Sequence, residues 1–180
     1  MDRSQLVGII TEKDVAKALP SPATTLSKYE INYLTDQIRV ADVMTKAVIS
    51  VSPDTTVEEA TMIMHEEDVG CLPVLENGKL IGIITERNIY DALTKMFGLD
   101  RPGVRVTVQV KDRVGVIADL TTIIKSLNLA IISLATYAAS AESAYIVVRI
   151  FTDNPEPLIG ELTAHGFEVV HWKMLNEKYS

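Results

Sequence analysis

One cysteine stands in the whole chain, Cys71. An internal disulfide is therefore excluded, and a reducing cytoplasm is the natural setting. Basic residues are also in short supply, with Lys+Arg 17 against Asp+Glu 24 and a net charge of -7. That balance argues against a general affinity for nucleic acid or anionic membrane, so neither is expected as a partner. No apolar run is long and clean enough to span a bilayer. The most apolar window, 127–150, is broken by Asn128, Ser133, Thr136, Ser140 and Glu142, and reads as two strands and a turn. The opening letters MDRSQ lack the basic-then-apolar pattern of a secretory signal. His65, His165 and His171 are scattered without the paired spacing of a zinc helix, so no metal site is expected. Phosphate-loop and G-x-S-x-G patterns are missing too, and no acid–base or nucleophile set converges. The chain therefore reads as non-enzymatic.

What is present is a globular composition, 47% hydrophobic and 23% charged over 180 residues. A chain of that size buries roughly 70% of its unfolded surface and needs no covalent staple. It also contains a repeat. LVGIITEKDVAKAL from Leu6 to Leu19 returns as LIGIITERNIYDAL from Leu80 to Leu93, with most positions identical. Each copy predicts an apolar strand ending at Thr, then an amphipathic helix. Upstream of the second copy, AVISVSP at 47–53 predicts a short strand. TTVEEATMIMHEED predicts a helix with Val57, Ala60 and Met64 inward, and Glu58 and Glu59 near its start. CLPVLENGKLIGIIT predicts a hairpin turning at Asn77-Gly78. The second unit is thus β-α-β-β-α, of which the first copy holds only the last strand and helix.

The segment between the copies, 20–39, reads as a linker with a short helix from Ser27. A second break at 99–103 precedes a β-α-β-β-α-β series over 104–175, the split βαβ arrangement. In its first helix Val116, Leu120, Ile123, Ile124 and Leu127 face inward. The fold class expected is α/β (α+β), with boundaries 1–19, 20–39, 40–98, 99–103 and 104–175.

Thr11 and Asp14, like Thr85 and Asn88, fall where a strand becomes a helix. Such a pair suits a capping box, in which Thr and the residue three later satisfy free backbone N–H groups. The same geometry suits an anion or a ribose, whose two hydroxyls an Asp can accept. Cys71, beside Leu72 and Pro73 in a buried strand, reads as core packing rather than a nucleophile.

Met44-Thr45, Pro53, CLPV at 71–74, and Gly82 with TERN make the span from Asp42 to Ile89 resemble a complete CBS motif. The first copy resembles the tail of another, so the whole resembles a tandem CBS (Bateman-type) module with its first motif incomplete. That resemblance implies adenine-ligand sensing, of AMP, ATP or S-adenosylmethionine. It also implies that Thr11 and Asp14 serve one cleft, while Thr85, Asn88, Val48, Cys71, Leu72 and Pro73 serve the other. Asn88 departs from the family Asp. Losing one charge-assisted bond of ~1.5–3 kcal/mol weakens binding about tenfold or more. From Val104 to Trp172, VQVKDRVGVIADL and LNLAII resemble an ACT domain of ferredoxin-like βαββαβ fold. This implies a homodimer with an amino acid or similar metabolite near Asp112, Val114, Gly115, Val116, Asn128 and Ile131. Asp112 is expected to cap the first helix there; the family often has Pro where Val114 stands.

The pairing resembles the acetoin utilization protein (AcuB-type) CBS–ACT family, implying a regulatory protein without cofactor that acts on a separate, unnamed protein. The rival reading is a structural dimerisation module with vestigial sites. Aligned on the repeat, Met1 falls opposite Leu75, inside a hairpin arm. The expectation is a shortened chain, with about 40–50 residues preceding it in the natural protein.

Overall fold

A computed structural model describes residues 5–21, 23–140 and 142–175. The backbone divides into two compact units within one helix, between Ile89 and Tyr90.

In the first unit, α1 (Glu12–Ala18), α2 (Lys28–Thr35) and α3 (Val40–Val43) precede the second repeat. The linker helix starts as its sequence predicts. Ser27 is the N-cap of α2 and accepts from the Glu30 N–H, while Glu30 accepts from the Ser27 N–H at 2.8 Å. Next come α4 (Val57–Glu66), β1 (Cys71–Glu76), β2 (Lys79–Thr85) and α5 (Glu86–Met96). The hairpin turns at Asn77 and Gly78, whose φ values of 50° and 76° are both left-handed, the geometry that matches strand twist in a two-residue turn. A capping box of Thr56 and Glu59 opens α4, which buries Ala60 and Met64 and packs on β1, where Leu72 is fully buried.

Two expected strands are reduced to single bridges. Val51 is the only residue of 47–53 that pairs, lying parallel to Val74 with its N–H on the Pro73 carbonyl at 2.9 Å. Ile9 is likewise the one paired residue of the first repeat's strand outside the edge residue Gln5. It exchanges two backbone bonds with Thr45, at 3.0 and 2.8 Å. Each segment meets one partner residue rather than a strand's length. Residues 1–4, aligned with the repeat's hairpin arm, lie outside the described residues.

The second unit carries β3 (Gly103–Lys111), α6 (Val116–Ser126), β4 (Ala130–Ala138), β5 (Ser143–Phe151), α7 (Glu156–Ala164) and β6 (Glu168–Leu175). Its strands form one antiparallel sheet in the order β4-β5-β3-β6, the topology of the split βαβ arrangement. Alternate residues of the two central strands, Val104, Val106 and Val108 with Ile146, Val148 and Ile150, bury one face. Against it lie Leu120, Ile123 and Ile124 of α6 and Leu158 and Leu162 of α7. Val116 and Leu127 are partly buried at the ends of α6.

The break expected at 99–103 is tied down. Ser133 Oγ donates to the Phe97 carbonyl at 2.9 Å, and Arg149 Nη2 donates to the carbonyls of Gly98 and Arg101, both at 2.9 Å. Side chains of the sheet thus bond carbonyls of the segment that follows α5. Gly103 enters β3 at φ 141°, and a Cβ there would stand 2.2 Å from the Ile150 carbonyl oxygen.

Candidate functional site

Both Thr pairs open helices, and both close on themselves. The Thr11 N–H and Oγ1–H each donate to Asp14 Oδ2, at 2.8 and 2.7 Å. The Thr85 N–H and Oγ1–H each donate to Asn88 Oδ1, at 3.0 and 2.8 Å, and the Asn88 N–H returns to Thr85 Oγ1 at 3.4 Å. The capping reading therefore describes the unliganded geometry of each pair. The chemical difference lies in what is left over. Asp14 spends one carboxylate oxygen and, among the described residues, keeps the other without a partner. Asn88 has only one oxygen, already accepting twice, and offers a ligand nothing but its NH2 donors.

The two Thr11 bonds, side chain first, hold the Asp14 carboxyl below the usual carboxylate range, and Lys17 adds to this more weakly. A half-buried anion is thus kept charged at the start of α1, where the helix dipole favours it. Burial, then the carboxylates of Asp14 and Glu86, push the Cys71 thiol up. A raised thiol suits packing and argues against a nucleophile. It also places Asp14 within electrostatic reach of Cys71. The first repeat's pair therefore lies within that reach of β1. The Ile9–Thr45 bridge, and Gly8 lying against the Met44 side chain, fix that approach. Leu72 and Pro73 are buried and Val48 is half-buried.

In the second unit, Asp112, Val114, Gly115 and Val116 line one cavity of about 420 Å³ with Tyr137 and Ile146. Asp112 does not cap α6. Gly115 occupies the N-cap position at φ 89°, a left-handed conformation that puts the chain on its helical path without a side-chain bond. The Asp112 N–H bonds instead to the Glu142 carbonyl at 3.0 Å. Asn128 and Ile131 are not in this cavity. Asn128 turns the chain at φ 55° beyond the far end of α6, and Ile131 pairs with Ile150. Sequence reasoning missed Arg113, which lines this cavity and pairs with Asp119. Arg113 precedes α6 and Asp119 lies within it, so no single helical or strand period relates them.

No group of His, Cys, Asp and Glu suited to a metal occurs among the described residues, and none of their helices is long and apolar enough to cross a membrane.

Residues 40–95 match the CBS domain family, and residues 102–173 match the TTHA0829-like ACT domain family. The chain belongs to the CBS-domain family, and an ACT domain follows the CBS motif. An uncharacterized protein, MJ1426, from Methanocaldococcus jannaschii is 34% identical over 113 residues, taking in 49% of this chain and 67% of that one. Homoserine O-acetyltransferase of Methanococcus vannielii is 34% identical over 94 residues, 52% of this chain but 17% of the enzyme. Among solved structures, the CBS-domain containing protein ATU1752 from Agrobacterium tumefaciens is 28% identical with a TM-score of 0.42, covering 52% of this chain and 67% of that one. The enzyme's name thus reaches this CBS protein through a small part of the enzyme's length.

Proposed function

We propose that this CBS–ACT chain is a non-catalytic regulatory sensor whose first unit binds an adenine nucleotide of the AMP, ATP or S-adenosylmethionine class. The observation that carries this is Asp14. Its carboxylate is kept charged by Thr11, has one oxygen unused, and lies near the apolar wall of Cys71, Leu72 and Pro73. A ribose needs acceptors for two hydroxyls, and adenine needs an apolar slot; the pair and the wall supply one each. Thr85 and Asn88 form the weaker second site.

The ACT domain supports a companion reading. Two copies pair as a homodimer, and the cavity at Asp112, Val114, Gly115 and Val116 takes an amino acid or similar metabolite. Asn128 and Ile131 reach it only from the other copy. Each ligand acts by favouring one arrangement over another, which a separate regulated protein in the cytoplasm then reads.

A second reading has its own support. Both Thr pairs are satisfied without a ligand, which suits a dimerisation module whose sites have lapsed. Thermal unfolding of the full chain with AMP, ATP and S-adenosylmethionine separates the two. Nucleotide at 100 times Kd adds about 2.7 kcal/mol under the sensor reading. No response to any of the three supports the dimerisation module.

A further inference from the structure

The sheet of the ACT domain carries a row of positive charge on the face away from its helices. Register places Arg105 of β3 directly opposite Arg149 of β5 on one side and Lys173 of β6 on the other. Cross-strand partners of like charge repel, and the arrangement costs stability unless something compensates. Among the described residues none of the three forms an ion pair. Arg105 Nη1 donates to Thr107 Oγ1 at 2.8 Å, a neutral partner.

Arg149 is the anomaly. Its side chain belongs to a residue only 7% exposed. Nη2 is spent on the Gly98 and Arg101 carbonyls, while Nε is buried with no hydrogen-bond partner among the described residues. Burial, then the charge of Arg105, disfavour the Arg149 cation, and only Asp100 works the other way. A buried guanidinium normally meets a carboxylate or another anion, because its desolvation is otherwise uncompensated. Here one neighbour in register is a further cation, Arg105, the other is the neutral Ser133, and Lys173 stands beyond Arg105.

We propose that the Arg105, Arg149 and Lys173 row is a binding site for a dianionic oxyanion of the phosphate class. The guanidinium of Arg105 acts as the donor, Lys173 as an outer charge and the buried Arg149 as a fixed charge behind them. Guanidinium groups present planar donors that match tetrahedral oxyanions, and three positive charges match a dianion better than a zwitterionic amino acid. This site is separate from the Asp112–Val116 cavity, which lies at the opposite end of β3. It is also independent of nucleotide binding at Asp14.

The test is calorimetric titration of the full chain with inorganic phosphate at constant ionic strength, using wild type, Asp14→Ala and the double variant Arg105→Gln/Lys173→Gln. Arg149 is left intact because its bonds hold the 97–101 segment. Saturable phosphate binding that survives Asp14→Ala and weakens at least tenfold in the double variant is the result expected. Far-ultraviolet dichroism of that variant matching wild type shows that the loss is not unfolding. Absence of saturable binding to wild type, or equal binding by the double variant, overturns the proposal.

Discussion

At Asp14 the two carboxylate oxygens have different duties. Oδ2 holds Thr11 and with it the start of α1, and the other oxygen is available to a ligand. Asn88 has no such spare oxygen, so the second repeat keeps the capping geometry without that acceptor. Replacing Asn88 with Asp restores that atom. We expect Asn88→Asp to strengthen nucleotide binding at the second site about tenfold, read by calorimetry. Acid works in the other direction. The Asp14 carboxyl lies below its ordinary value in the folded chain. Its contribution is therefore complete above the ordinary carboxylate range and is lost as pH falls through the lowered value. Nucleotide affinity should hold flat from neutral pH down to that range and fall only below it. A loss of affinity centred near neutral pH with S-adenosylmethionine, which carries no phosphate, would contradict this.

Among the elements, the hairpin and the sheet of the second unit show what period and turn chemistry can report. Asn77-Gly78 names its own turn, and the alternation of β3 and β5 names their buried face. The residues 47–53 alternate in the same way and 6–10 form an apolar run, yet each meets a single bridging partner. Alternation records burial of one face, and the number of neighbouring strands lies outside it. The Thr pairs were legible as helix starts, but nearness of Asp14 to Cys71 depends on a bridge between residues 36 apart, Ile9 and Thr45. The Arg149 bonds to carbonyls 51 and 48 residues back were illegible for the same reason. Two substitutions test the packing. Leu120 is fully buried between α6 and the sheet, so Leu120→Ala should cost about 2–5 kcal/mol in denaturant unfolding. Gly103→Ala places a methyl 2.2 Å from backbone that cannot yield, at a φ of 141°. It should cost at least ~1–3 kcal/mol, and a neutral result would mean the β3–β5 pairing differs.

At the scale of the whole molecule, the cores of the two units are unequal. The large cluster from Val104 to Phe167 belongs to the ACT domain, whereas the first unit buries Val51, Ala60, Met64, Leu72 and Ile89. Its β2 also leaves Ile81 and Ile83 more than half exposed, on the same side of the strand. A smaller core opens at lower free-energy cost. Amide exchange should therefore be faster in β1, β2 and α4 than in β3 and β5, and a bound nucleotide should slow it in the first unit. Equal protection in both units without ligand would contradict this ordering.

The central claim is that Asp14 makes the first unit a nucleotide sensor. Calorimetric titration of full-length wild type and Asp14→Ala with AMP, ATP and S-adenosylmethionine tests it most directly. At least one ligand should bind wild type saturably and lose at least about tenfold in affinity in the variant. Binding that is indifferent to Asp14, or no binding to wild type by any of the three, would contradict it.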